Sequence, residues 1–451
     1  MALSAVFLLA KCAYPQSQSP DLKQLKDKLQ QLEQEMHELK GQINAVEDAQ
    51  KPTAAPSTTS VAQPGAAPKG PKETPPKSNI DLYGFVMLDS GYDFKTNDPN
   101  WFDVVRPTKL PSFPGEFAPD GKVYFGVRQT RFGVKTSTPT GLGDLKTQFE
   151  FELFGTGVDA GQTTFRLRHA YGELGSFGAG QTWSPFMDID VFPNSIEYWG
   201  PTGMVFFRNI QVRWMPIRSD RTRLIFAVER PGASADQGNY ADRVELQGVR
   251  PKFDMPDFSW QVREMRHWGY VQLAGIFRKI SWVDTAPNPT FRLSGDALGW
   301  GLNLTSNVSL GKKDVGKFEV VYGEGIQNYM NDAPVDIGIR NNFGNTSRPI
   351  EGVPLPLLGI VSFIDHTWNS HFTSSIGYSL LDIENSDGQK SSDFHQGHYA
   401  LTNLLYQPIP KVTIGSEFQF GRRVNFSDGF SANDYRIQFS FRYDWRKLFE
   451  F

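Results

Sequence analysis

The chain has 451 residues, is 39% hydrophobic and carries a formal net charge of −3, which points to no nucleic-acid partner. Its single Cys excludes a disulfide framework and any Cys-based metal cluster. No run of eighteen apolar residues follows the amino terminus, so no spanning helix is expected there. The 13% aromatic content suits a membrane barrel, whose lumen-facing residues dilute the lipid-facing ones, and equally suits a large soluble β protein.

Residues 1–20 open on a short apolar stretch, expected to be a secretion signal although a basic start is missing. Leu9-Ala10-Lys11-Cys12 is a poor lipoprotein box, because Lys11 precedes the Cys directly. Residues 21–49 carry Leu22, Leu25, Leu29, Leu32, Met36, Leu39, Ile43 and Val46 at alternate spacings of three and four. That spacing predicts a coiled-coil helix with Leu22 at heptad position a. In a parallel coil Asp21 would meet Lys26, Lys28 would meet Glu33, and Glu35 would meet Lys40, all attractive pairs. A lone amphipathic helix lying on the next domain is the competing reading. About four heptads is near the lower limit of stability, so a second contact between protomers is expected. Residues 50–78 are rich in Pro, Ala and Thr, bury too little to fold, and read as a tether.

Residues 79–451 read as an all-β domain, a transmembrane antiparallel β-barrel. The last strand shows why. Ile437, Phe439, Phe441, Tyr443 and Trp445 share one face, and Arg436, Gln438, Ser440, Arg442 and Asp444 share the other. A soluble sheet has little use for aromatics crowded at one strand end. A barrel places apolar residues toward lipid, polar residues toward water and aromatics at the interface. About seventeen strand-like segments can be drawn, and a bacterial barrel with both ends on one side needs an even number, so sixteen is the expectation. The register over 244–282 is ambiguous, because Met255-Pro256-Asp257 and His267-Trp268-Gly269 could both be turns. Long loops near 95–122, 184–204 and 329–356 alternate with short turns, which predicts an extracellular and a periplasmic end.

Alternation sends Arg131, Arg166, Arg168, Arg213, Arg423 and Arg442 into the lumen, since Arg facing lipid at mid-membrane costs about 2–4 kcal/mol. Guanidinium suits carboxylate or phosphate, so these residues are candidates for an anion pathway. They could instead neutralise wall carboxylates such as Glu150, Glu152, Glu417 and Asp444. The loop after Trp183 carries Asp188, Asp190 and Glu197 among aromatics. Folded inward, it would form a constriction with carboxylates opposite the arginines. No Gly-x-Ser-x-Gly elbow occurs and the seven His are scattered, so no enzyme, metal site or cofactor is expected.

Six segments carry a resemblance: RQTRFGVKT (128–136), RHAYGEL (168–174), GAGQTW (178–183), VQLAG (271–275), VVYGEG (320–325) and GSEFQFGRR (415–423). With the coil, spacer and barrel order, the chain resembles the DcaP-like trimeric porins of Gram-negative outer membranes. The resemblance implies a sixteen-stranded homotrimer in outer-membrane lipid, a coil in the periplasm, and passive uptake of small anionic solutes, with dicarboxylates as suggested substrates. The alternative is a structural anchor whose coil contacts the peptidoglycan of the cell wall while the barrel merely holds it in place.

Overall fold

The computed structural model describes residues 77–240, 249–285 and 292–451, together with Gln34. The signal at 1–20, the coiled coil at 21–49 and all but the last two residues of the 50–78 tether lie outside the described residues, Gln34 excepted. No helix among the described residues is long and apolar enough to cross a membrane.

The chain instead forms strands. They run β1 (Asn79–Asp93), β2 (Lys122–Gly126), β3 (Arg131–Thr140), β4 (Gly143–Phe154), β5 (Thr163–Leu174), β6 (Phe177–Trp183) and β7 (Arg208–Arg218). Next come β8 (Thr222–Glu229), β9 (Val249–Lys252), β10 (Asp257–Arg266), β11 (Gly269–Asp284), β12 (Gly295–Ser309) and β13 (Asp314–Glu324). The last are β14 (Ile337–Asn341), β15 (Ile350–Pro354), β16 (Pro356–Thr367), β17 (Phe372–Ile383), β18 (Phe394–Tyr406), β19 (Val412–Asn425) and β20 (Ser431–Glu450).

Neighbours pair antiparallel, and β1 closes the sheet on β20 from Asn79 opposite Glu450 to Asp93 opposite Arg436. Closure removes every free edge, as a structure spanning lipid requires. Segments β2 and β9 are broken-off ends of the strands that follow them, so the wall has sixteen strands. Segments β14 and β15 form a separate hairpin within a loop. The ambiguous stretch resolves into β9, β10 and β11: 253–256 is a break within one wall strand, and the chain reverses only at His267-Trp268.

Side chains alternate across the wall as the strand period dictates. In β20, Phe439, Phe441, Tyr443 and Trp445 are exposed outward, while Arg436, Gln438 and Ser440 are buried inside. In β1, Val86 and Leu88 face out, and Phe85, Met87 and Asp89 are buried inside. Short turns such as 141–142 and 175–176 occupy one end, and the segments 94–121, 184–207 and 325–355 occupy the other.

Those three segments fold into the barrel. Phe186, Val191, Met204 and Val205 of 184–207 are buried with Val105 of the first segment and Tyr329 of the third. Wall groups accept or donate along the whole inward loop. Glu229 accepts from the Ser184 hydroxyl at 2.6 Å, and Glu417 accepts from the Ile196 N–H at 3.1 Å. Ser379 Oγ accepts from the Gly203 N–H at 2.9 Å, and Glu319 accepts from the Val205 N–H at 2.8 Å. At Gly203 the loop lies so close to the Leu380 and Ile360 backbone that a Cβ has no room. The loop therefore crosses the lumen and is fixed to several wall strands.

Candidate functional site: an arginine wall against the inward loop

Within the run of neighbouring strands β3 to β7, strands β3, β5 and β7 bring four arginines to one place on either side of β4 and β6. Glu150 and Glu152, inward on β4, form its centre. Arg168 donates to Glu150 at 2.6 Å and to Glu152 at 2.5 Å. Arg131 lies 3.6 Å from Glu150 and 3.5 Å from Glu152. Arg166 and Arg208 lie 3.6 and 3.7 Å from the same Glu152 oxygen. Four guanidinium groups thus share two carboxylates, and the cluster keeps positive charge. The bulge between Glu150 and Phe151 helps, because it shifts the register so that Arg166, Arg168 and His169 all meet the inner face of β4.

Exposure separates their roles. Arg168 and Arg208 side chains are only 5% and 6% exposed, whereas Arg131 and Arg166 are 24% and 31% exposed. The Nη1 of Arg208 has no hydrogen-bond partner, and its guanidinium rests 4.7 Å from the Trp183 ring centroid. Arg166 and Arg208 line a cavity of about 290 Å³ with Tyr198, Trp199, Phe206 and Asn331. Tyr198 donates to Glu152 and stacks on Phe154 at 3.9 Å between ring centroids. The loop therefore presents aromatics, not carboxylates, to the arginine wall.

The loop carboxylates are engaged elsewhere. Asp188 accepts from Arg263 at 2.5 Å, from Tyr270 at 2.7 Å and from Thr305 at 2.6 Å, and is buried. Asp190 pairs with the same Arg263 while its side chain stays 51% exposed. Glu197 is buried, accepting from the Val105 N–H at 3.2 Å and from the Gly200 N–H. Burial, with the nearby Glu417 carboxylate adding to it, pushes the Glu197 carboxyl up to about 8. The expected constriction thus exists as a loop across the lumen, but its acids act as struts.

The remaining predicted arginines stand apart from the cluster. Arg213 donates to Gln211 and to the Trp183 carbonyl at 2.6 Å and lies over the Tyr171 ring. Arg423 donates to Asn425 and to the Ser392 and Thr108 carbonyls. Arg442 pairs with Asp444 at 2.7 Å and sits 3.9 Å from the Phe85 ring centroid. Glu417 meets none of these cations and holds Ser195 and Ile196 of the loop instead.

Sequence reasoning missed Arg208 and Arg263. Arg208 shares the parity of outward Ile210 and Val212, but it is the first residue of β7, where the chain arrives from inside the barrel. Parity does not hold at such an entry. Arg263 alternates properly with Trp260 and Val262, and only the unsettled register hid it. Among the described residues, no cluster could hold a metal ion.

A closed sixteen-stranded barrel with apolar residues outward, charge inward and a loop across the lumen is an outer-membrane porin-type channel. The family model described as DcaP outer membrane protein matches residues 13–445, so the chain belongs to the DcaP family. The structure is similar to the outer membrane channel DcaP of Acinetobacter baumannii, at 18% identity and TM-score 0.67, over 82% of this chain and 97% of that one. It is also similar to an anion-selective porin from Comamonas acidovorans, at 12% identity and TM-score 0.53, over 82% and 100% of the two chains. OmpT of Vibrio cholerae is similar at 13% identity and TM-score 0.51, over 82% and 98%. At these identities the likeness establishes the fold. No curated protein matches the sequence.

Proposed function

We propose that this channel passes small anionic solutes, dicarboxylates among them, by diffusion through a positively charged lumen. The observation that carries the reading is the imbalance of four guanidinium groups on Glu150 and Glu152, two of which, Arg166 and Arg208, line a cavity beside the inward loop. Such a wall concentrates anions and repels cations, and does so less as salt shortens the screening length. A dicarboxylate gains most, because paired Arg forks match its two ends. The anion selectivity named for the Comamonas porin supports the same reading on a shared fold. The arginines of the cluster act as the pathway, with Arg166 the most accessible. Arg213, Arg423 and Arg442 continue the positive lining beyond it.

The heptad from Leu22 to Val46 supports a further part of the proposal. A parallel coil there would hold three copies together in the periplasm after removal of the signal at 1–20, while the tether at 50–78 links it to the barrel. The experiment is the reversal potential of the purified protein in a planar bilayer under a salt gradient. Anion preference that falls at high salt is the expected result. A reversal potential at zero, or one of cation sign, would overturn the reading.

A further inference from the structure

A second cavity, of about 480 Å³, lies at the short-turn end of the lumen. Arg213, Arg218 and Arg223 line it with Met215, Ile225 and Met265. Arg213 and Arg218 stand on β7, and Arg223 lies directly opposite Arg218 on β8. The other charges near it are mostly committed. Arg218 donates to Glu173 at 2.9 Å, Arg221 pairs with Glu264 at 2.7 Å, and Arg263 is held by Asp188 and Asp190. Asp220 is the remaining acid of the lining, in the turn itself.

Two guanidinium groups are left over. Arg223 is exposed and makes neither a hydrogen bond nor an ion pair. Arg213 has only neutral acceptors, Gln211 and the Trp183 carbonyl, and the face of Tyr171. On the same inward lining, Met265 is 42% exposed and supplies an apolar surface beside the guanidinium groups, while Met215 and Ile225 are nearly closed off from water. A bare inorganic ion would use the guanidinium groups and leave that apolar surface idle. A solute with a carboxylate at one end and a hydrocarbon body would use both.

We propose that the short-turn end of the lumen holds a second anion site, which takes small organic carboxylates with an apolar body. The proposal rests on the anion-channel reading and extends it. Arg208 and Arg213 are five residues apart on β7, about 17 Å along the strand. A carboxylate released from the upper cluster therefore reaches this site next along the same wall. The upper cluster selects for charge, and the lower site adds a preference for hydrocarbon.

The test uses the full-length protein in planar bilayers, with hexanoate, acetate and inorganic phosphate as probes added at the short-turn side. Block of the channel current by hexanoate should be at least about tenfold tighter than block by acetate or phosphate. Arg213→Gln with Arg223→Gln should weaken hexanoate block by about tenfold or more, equivalent to about 1.4 kcal/mol. Reversal potential should shift little in Arg223→Gln alone, because that variant leaves Arg213 and the Glu150–Glu152 cluster in place. Arg223→Gln alone removes no protein contact, so it keeps the test meaningful if the double variant folds poorly. Equal block by all three probes, or unchanged hexanoate block in both variants, overturns the second site. A wild-type channel without anion preference, yet with hexanoate block that depends on Arg223, would overturn the general reading and leave this site standing.

Discussion

Arg106 closes on Asp332 at 2.8 Å, joining the first inward segment to the last, with both side chains nearly buried. The guanidinium also lies against two rings that meet edge to face, 4.1 Å from the Trp101 centroid and 4.0 Å from that of Trp199 on the crossing loop. Asp332 additionally accepts from the Thr108 N–H at 3.0 Å. Three loops remote in sequence thereby meet at one point.

Asp332→Ala leaves the Arg106 charge buried without its partner, a situation that costs about 3–5 kcal/mol. The cost falls on the loop arrangement, because the wall pairing does not involve either residue. The variant should show noisier open-channel current and higher conductance, while heat-modified mobility on gels still reports a folded barrel. A quiet current of unchanged size would show that this contact does not limit the loops.

The loop anchor at Glu197 gives a pH dependence with a defined sign. Its folded value of about 8 lies above the ordinary value of 4.5, so the folded protein holds a proton that the unfolded chain releases. Stability therefore falls as pH rises from about 4.5 to about 8 and levels off above. Channel closures from loop motion should become more frequent across that window. Glu197→Gln mimics the protonated form and should flatten the profile, which a pH series of single-channel records would check.

Much of this was legible because a barrel wall imposes a period of two on every strand. The final strand alone, with aromatics on one parity and Arg436, Gln438 and Ser440 on the other, was enough to argue membrane lipid outside and water inside. Parity also sent Arg131, Arg166 and Arg168 inward. What it could not show was company. The partners of Asp188 sit on Arg263, Tyr270 and Thr305, about 75 to 117 residues away in sequence. The bulge at Arg168 and the inward arrival of the chain at Arg208 break the period locally, and both lie at the site. Alternation fixes a side chain's face only where the strand is regular, and Arg168 and Arg208 of the candidate site stand where it is not.

Assembly can be tested independently of the lumen. Deleting residues 22–46 removes the heptad of apolar residues together with Lys26, Lys28, Glu33, Glu35 and Lys40. The barrel closes on itself through β1 and β20, so its fold does not require the coil. The deleted protein should keep its β circular dichroism and heat-modified mobility, and light scattering should show the weaker self-association that the proposed trimer predicts. Loss of all β structure would contradict an independent coil.

Within the arginine wall, selectivity and stability should separate by residue. Arg166 has a side chain 31% exposed and a loose 3.6 Å contact to Glu152, so its charge faces the solute more than the protein. Arg166→Gln should lower anion preference in the reversal potential, with a stability change below about 1 kcal/mol. Arg168 is 5% exposed and donates to both Glu150 and Glu152, so Arg168→Gln leaves two buried carboxylates short of a partner. It should cost about 3–5 kcal/mol in urea titration of the folded barrel. Its effect on selectivity would come with that loss. Asp190→Asn should move the ratio the other way, toward anions, since a half-exposed carboxylate leaves the lumen. Asp188→Asn should instead loosen the crossing loop, because it weakens the hold of Arg263, Tyr270 and Thr305. If Arg166→Gln changed stability strongly and left the reversal potential alone, the cluster would be a structural clamp and the conduction path would lie elsewhere in the lumen.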